Sequence, residues 1–262
     1  AMESVESGQF STVFKAVRGG DTPPVALKQV YFDDQKWKML LREVKILHVL
    51  DHPNIVRFYK AYRLEKVVWL AMEWIQGGSL EQFSVQNSKR VGDIEHELLR
   101  NVLKDVLKAL MYLQTANIVH RDLKPDNIML MNSSEGISGK LIDFGLSSEP
   151  NQRDNQQTRV CGSPLFSAPE VLTGDGRYRK YGCKADIWSL GVCILCMFVE
   201  PFPGWPDMSE PDFIHALKSK RGPWGPWSEI ADREMLAVLK KCLVWNPAFR
   251  VSADSLLSNH FS

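Results

Sequence analysis

The sequence has no long apolar run. Its longest, residues 190–199, falls well short of the roughly 18 residues that a membrane span needs and reads instead as a buried core helix. It also lacks a dominant charge. The 32 Lys and Arg nearly cancel the 31 Asp and Glu, leaving a formal net charge of +1, so no global field favours nucleic acid or an anionic membrane. Cysteine is sparse. The five residues Cys161, Cys183, Cys193, Cys196 and Cys242 do not form the paired C-x-x-C and His spacing of a zinc site. Cys193 and Cys196 share one predicted helix face, where packing is their expected role. An odd, scattered set implies reduced thiols and an intracellular protein, cytoplasmic with the nucleus also open. There is no repeat, low-complexity tract or signal-peptide pattern. Ala1-Met2 suggests a cloned or truncated start, so regulatory segments are expected outside this stretch. The apolar share of 44% and charged share of 24% are those of an ordinary globular protein.

What is present is concentrated in one place. His120-Arg121-Asp122-Leu123-Lys124-Pro125-Asp126-Asn127 packs two acids, two fixed cations and an amide into eight residues. Apolar Ile118 and Val119 precede it, and Ile128, Met129 and Leu130 follow, which predicts a polar loop held at the ends of two buried strands. Asp122 and Asn127 lie five positions apart, so one can be aimed at a nucleophile and the other at a metal. Lys124 can neutralise charge on a transferred group. The pattern is H-R-D-L-x-x-x-N, and with it the chain resembles a eukaryotic protein kinase catalytic domain. Lys124 resembles the serine/threonine branch.

The resemblance runs along essentially the whole chain. Glu6-Ser7-Gly8-Gln9-Phe10-Ser11-Thr12-Val13 stands where the family carries its glycine-rich loop. Only the middle glycine, Gly8, is kept; Glu6 and Ser11 replace the outer two. Val13 and Ala26 are implied as an apolar lid over adenine. Lys28, in Val25-Ala26-Leu27-Lys28, resembles the lysine that contacts the α- and β-phosphates, although a strand lysine is ordinarily a solvated one. Apolar residues at three- and four-residue spacing predict a helix over 35–50, and on it Glu43 resembles the glutamate that pairs with that lysine. Strands are expected over 55–62 and 67–74. Met72 is implied as the gatekeeper and Glu73 to Ile75 as the hinge that binds the adenine edge, with Met129 completing the ATP site.

A wide apolar stripe predicts a helix over 93–117 that delivers the chain to the loop. Asp143 opens Asp143-Phe144-Gly145 and, with Asn127, is implied as an oxygen ligand of Mg²⁺. Glu170 of Ala168-Pro169-Glu170 is expected to pair with buried Arg250, and Asp186 to accept backbone bonds from the catalytic loop. Arg121 is implied to dock a phosphorylated residue of the segment between Asp143 and Glu170, with Thr158 the candidate acceptor; the alternative is a loop ordered without phosphate by an acid such as Asp154.

The resemblance implies an α+β, bilobal fold. Residues 1–76 form a small antiparallel β-sheet lobe with one main helix, and residues 77–262 a larger, mainly helical lobe. It implies an ATP- and Mg²⁺-dependent transfer of phosphate to Ser or Thr of protein substrates, catalysed by Asp122, Lys124, Lys28 and Glu43. An upstream kinase or regulatory segments are expected outside this stretch, without nucleic acid. Two alternatives stay open. Glu6 and Ser11 suit a kinase-fold binding module, and a kinase of small molecules is opposed by the Ala168-Pro169-Glu170 segment. Subgroup features point both to calmodulin-dependent or AMP-activated kinases and to kinases of mitogen-activated cascades.

Overall fold

In a computed structural model the described residues are 1–7, 11–17, 19, 22–86, 93–133, 136–149, 162–173, 182–198, 209–219, 230 and 232–261. Five strands form one antiparallel sheet: β1 (Met2–Ser7), β2 (Ser11–Ala16), β3 (Val25–Tyr31), β4 (Phe58–Leu64) and β5 (Val67–Glu73), in the order β1-β2-β3-β5-β4. Residues paired across an antiparallel ladder share a face, as do residues two apart along a strand. Val13 stands opposite Lys28, Lys15 opposite Ala26, and Ala26 opposite Met72. The register therefore puts Val13, Ala26, Lys28 and Met72 on one face of the sheet.

Helix α1 (Asp34–Val49) links β3 to β4 and buries Leu40, Ile46 and Leu47. The chain between α1 and β4 departs from the strand expected from residue 55. Ile55 and Val56 cross to the far hairpin, where the Val56 N–H donates to the Leu141 carbonyl at 2.9 Å and the Leu141 N–H to that of Asn54 at 2.9 Å. The strand proper begins at Phe58.

The remaining elements are mostly helical: α2 (Leu80–Gln86), α3 (Asp93–Thr115), the hairpin β6 (Ile128–Ser133) and β7 (Gly136–Leu141), α4 (Pro169–Thr173), α5 (Lys184–Phe198), α6 (Glu210–Lys218), α7 (Arg233–Cys242) and α8 (Ala253–His260). The stripe Leu99, Val102, Leu103, Val106, Leu107, Leu110 and Leu113 of α3 is buried throughout. The helix stops two residues earlier than its pattern suggests, because Asn117 takes a left-handed conformation (φ 56°) suited to a C-terminal cap. Helix α5 is apolar on all sides and buried from Ala185 to Leu195, as the 190–199 run implied. Gly191 lets α7 approach it: a Cβ there would stand 2.7 Å from Cys242 Cβ. Side chains of Asp232 and Ser252 cap α7 and α8 by accepting N–H groups of the first turn. Among the described residues no helix is long and apolar enough to cross a membrane.

Candidate active site

Residues 118–127 leave α3 and return into β6, and a buried carboxylate shapes the turn. Asp186, 2% exposed in the first turn of α5, accepts the His120 N–H at 2.8 Å and the Arg121 N–H at 3.0 Å. Burial holds its carboxyl above the usual range, opposed by His120 and by those same bonds. Arg121 adopts φ 69°, an uncommon conformation for a bulky residue that persists where surroundings fix it. His120 is fully buried edge-on against Phe144, with its Nε2 3.0 Å from the Ile142 carbonyl oxygen. Ile118 and Val119 are buried as expected, but they make a single bridge to Ser148 and no strand.

This scaffold presents Asp122 with both carboxylate oxygens engaged. Oδ1 accepts the Ser163 N–H at 2.9 Å and Oδ2 accepts Asn127 Nδ2–H at 3.1 Å. Lys124 Nζ lies 3.6 Å from Oδ2 and donates to Ser163 Oγ at 3.3 Å. Gly162 makes the approach of this segment possible. It has φ 91°, and a Cβ there would stand 2.5 Å from the Arg121 carbonyl oxygen. Asn127 Nδ2 also donates to the Asp122 carbonyl at 2.8 Å, and the Asn127 carbonyl accepts the Ile142 N–H at 3.0 Å. The 120–127 turn is thus tied to the strand end that carries Asp143.

Lys28 is no solvated strand lysine. Its side chain is 14% exposed and its ammonium donates to Glu43 Oε1 at 3.0 Å and to Asp143 Oδ1 at 2.7 Å. Burial opposes the ammonium's charge, but the two carboxylates outweigh it and raise the pKa well above the ordinary lysine value. For Asp143, burial likewise opposes ionisation, while Lys28 and the Gly145 N–H bring the carboxyl down to about 2. The pairing of Lys28 with Asp143 has no signal in the sequence, since the two lie 115 positions apart.

The donors left over suit a hard cation. Asn127 spends its amide nitrogen on Asp122, so its side-chain oxygen Oδ1 remains, and Asp143 is an ionised carboxylate. Farther out, Glu170 and Arg250 form a buried bidentate pair with contacts of 2.7 and 3.0 Å. Arg121 Nε donates to the Leu146 carbonyl at 2.5 Å, whereas its buried Nη1 finds no partner among the described residues. Burial, then the neighbouring Arg121, lowers the pKa of Arg42, with Glu149 opposing. Ile75 is buried, and Met72, Glu73 and Met129 are half-buried. Gly8 and Thr158 lie outside the described residues, as do Cys161 and residues 201–208.

Against known proteins, the family described as the protein kinase domain matches residues 1–262. The chain belongs to the protein kinase domain family. Its α+β architecture is the two-lobed kinase fold. It is similar to three proteins of Dictyostelium discoideum: the probable serine/threonine-protein kinase mkcC (31% identical over 98% of this chain and 27% of the relative), the probable serine/threonine-protein kinase fhkE (32%, over 98% and 36%) and the serine/threonine-protein kinase pakC (31%, over 99% and 53%). The kinase domain therefore spans between about a quarter and about half of these relatives' lengths.

Proposed function

We propose that this domain transfers the γ-phosphoryl group of ATP to Ser or Thr hydroxyls of protein substrates. The observation that carries the reading is the environment of Asp122: an ionisable carboxylate oriented by Asn127 and the Ser163 N–H beside the Lys124 ammonium. In this reading residues 1–76 and 77–262 are the two lobes and the cleft between them holds the nucleotide. Val13 and Ala26 cover adenine, Met129 supports it from below, and backbone groups from Glu73 to Ile75 meet its edge beside Met72. Gly8 belongs to the loop over the phosphates.

Transfer spreads negative charge over the phosphoryl oxygens, so the chain's task is positioning and charge stabilisation. Asp122 orients the acceptor hydroxyl and takes its proton as the oxygen attacks phosphorus and the bond to ADP breaks. Lys124 faces the transferred group. Lys28, steadied by Glu43, meets the α- and β-phosphates. Asp143 and the side-chain oxygen Oδ1 of Asn127 would hold Mg²⁺, which when bound neutralises phosphate charge. Asp186 fixes the loop backbone, and Glu170 with Arg250 anchors the segment that reaches Asp122. Arg121, with one buried guanidinium nitrogen lacking a described partner, suits a phosphate on Thr158 and hence control by an upstream kinase.

Incubation with labelled ATP, Mg²⁺ and a generic protein substrate tests the reading. Label on phosphoserine or phosphothreonine is the expected result. Nucleotide binding without transfer, under conditions where a known kinase labels the same substrate, would count against it. Phosphatase treatment and Thr158→Ala should both reduce the rate if Arg121 is served by that phosphate.

A further inference from the structure

A second ion pair lies on the hinge, and the chemistry above does not use it. Lys140 Nζ donates to Glu73 Oε1 at 2.5 Å, with side-chain exposures of only 9% and 19%. The same Glu73 oxygen accepts the Arg57 N–H at 2.8 Å, and the Glu73 N–H donates to the Arg57 carbonyl at 2.9 Å. One carboxylate thus ties three pieces of chain together: the end of β5, the start of β4 and the β6–β7 hairpin. Lys140 stands opposite Met129 in that hairpin and three residues before Asp143.

Beyond Glu73 the chain is held by packing, through buried Ile75 and the close approach of Gly77 to Leu130, more than by backbone bonds. Among the described residues, the backbone groups of 74–77 have no hydrogen-bonded partner in the chain; the next tie is the Leu130 N–H to the Gly78 carbonyl at 2.8 Å. Residues 74–76 also take no regular secondary structure. Unspent backbone groups at this point suit a ligand edge, and the ends of the segment set their position. A nearly buried ammonium is tolerated only when paired, so removing Lys140 leaves the Glu73 carboxylate facing a site that no longer favours its charge. That carboxylate would turn towards water and carry the start of the hinge with it.

We propose that Lys140 is a positioning residue for nucleotide binding: by pinning Glu73 from the β6–β7 hairpin, it fixes the placement of the backbone from 73 to 75 that meets the adenine edge. This rests on the adenine reading given under Proposed function. Lys28, Glu43 and Asp143 are joined in the same structure in which this pair is formed.

The test is ADP affinity by calorimetry, with KM for ATP and kcat on a generic protein substrate, for Lys140→Met, Lys140→Arg, Lys140→Glu and the exchanged pair Glu73→Lys with Lys140→Glu. Lys140→Met should weaken ADP binding and raise KM by about tenfold, the scale of one hydrogen bond to a charged group, with kcat at saturating ATP changed by no more than about twofold. Lys140→Arg should keep most of the affinity, and the exchanged pair should recover most of what Lys140→Glu loses. These last two decide the matter should the Met variant fail to fold. Unchanged ADP affinity in Lys140→Met overturns the inference, even if its melting temperature falls. So does a loss or gain confined to kcat, or an exchanged pair no better than Lys140→Glu. A wild type that binds no ADP sinks the adenine reading and this inference with it, whereas one that binds ADP as its variants do sinks the inference alone.

Discussion

Replacing Arg250 by Met should destabilise the domain by about 4–6 kcal/mol. Arg250 is 2% exposed and lies over the Trp188 ring at 5.1 Å. Its guanidinium makes both bonds to Glu170 and donates to the carbonyls of Lys184 at 2.7 Å and Val244 at 2.9 Å. Methionine keeps the stem and loses the charged end. Removing one partner of a buried pair costs about 3–5 kcal/mol, because the other charge stays behind. The orphaned carbonyls of Lys184 and Val244 add about 1 kcal/mol each, and the weaker contact to the Trp245 carbonyl at 3.4 Å adds less, partly offset by the apolar contacts of the Met side chain. A typical domain has only about 5–15 kcal/mol in total, so the variant should sit near the edge of folding.

The double variant Arg250→Met, Glu170→Leu separates the charge effect from the packing effect. If the orphaned carboxylate dominates, removing it should restore about half of the loss. Lys at 250 keeps the charge but not the fork that spans both Glu170 oxygens, and should cost about 2–3 kcal/mol. Urea unfolding followed by tryptophan fluorescence measures all three, with comparable slopes required between variants. A loss below about 1 kcal/mol in Arg250→Met, or a double variant less stable than the single one, would refute the argument.

Three further outcomes follow from the same geometry. Lys28→Met should abolish phosphoryl transfer and also lower the melting temperature, since it leaves the nearly buried Glu43 carboxylate without its cation; activity within a few fold of wild type in a kinase assay would remove Lys28 from the site. Asp122→Asn should leave nucleotide affinity nearly unchanged and cut turnover by about 10² or more, because it acts on the acceptor hydroxyl, while Asp143→Asn should weaken Mg²⁺-dependent nucleotide binding. Calorimetry beside turnover rates tests that division, and exchanged phenotypes would reverse the roles. Native protein at pH 8 should alkylate slowly at four cysteines: burial pushes the thiols of Cys196 and Cys242 up to about 12, that of Cys183 to about 11 and that of Cys193 higher than its usual value; rapid iodoacetamide labelling of any of them by mass spectrometry would contradict this.

The parts legible in the sequence were those written locally. The period of the apolar residues in α3 and α1, the all-apolar stretch of α5, and the eight residues from His120 to Asn127 each carry their information within one segment. The parts that were not legible depend on neighbours. Gly136-Ile137-Ser138-Gly139 holds two glycines, which strands disfavour, yet it forms most of strand β7. Pairing with β6 supplies its ladder, and Gly139 lets α3 pack closely, since a Cβ there would stand 3.0 Å from Val102 Cγ1. Ile55 and Val56 look like the start of β4, but their partner is Leu141, far along the chain.

Charge pairing outside the family pattern, Lys28 with Asp143 and Lys140 with Glu73, was the least readable feature, and the reason is physical. A lysine on a strand is solvated unless a carboxylate reaches it, and which carboxylate does so is a matter of tertiary distance. Lys28 and Lys140 both lie on strands, and both are nearly buried. The first joins Glu43 of α1 and Asp143, and the second joins the end of β5 to β7; in the proposed reading these are the phosphate end of the cleft and the hinge. The family pattern singles out only the first. In both cases the acid partner comes from another element, and the lysine adjoins residues assigned here to nucleotide or metal. Burying an ammonium is costly without a partner, so each pair constrains the placement of two segments at once. A site that must hold its groups within a fraction of an ångström gains from such double constraints. Nearly buried lysines with distant acid partners are therefore the places to look for residues that position this site without touching the reacting atoms.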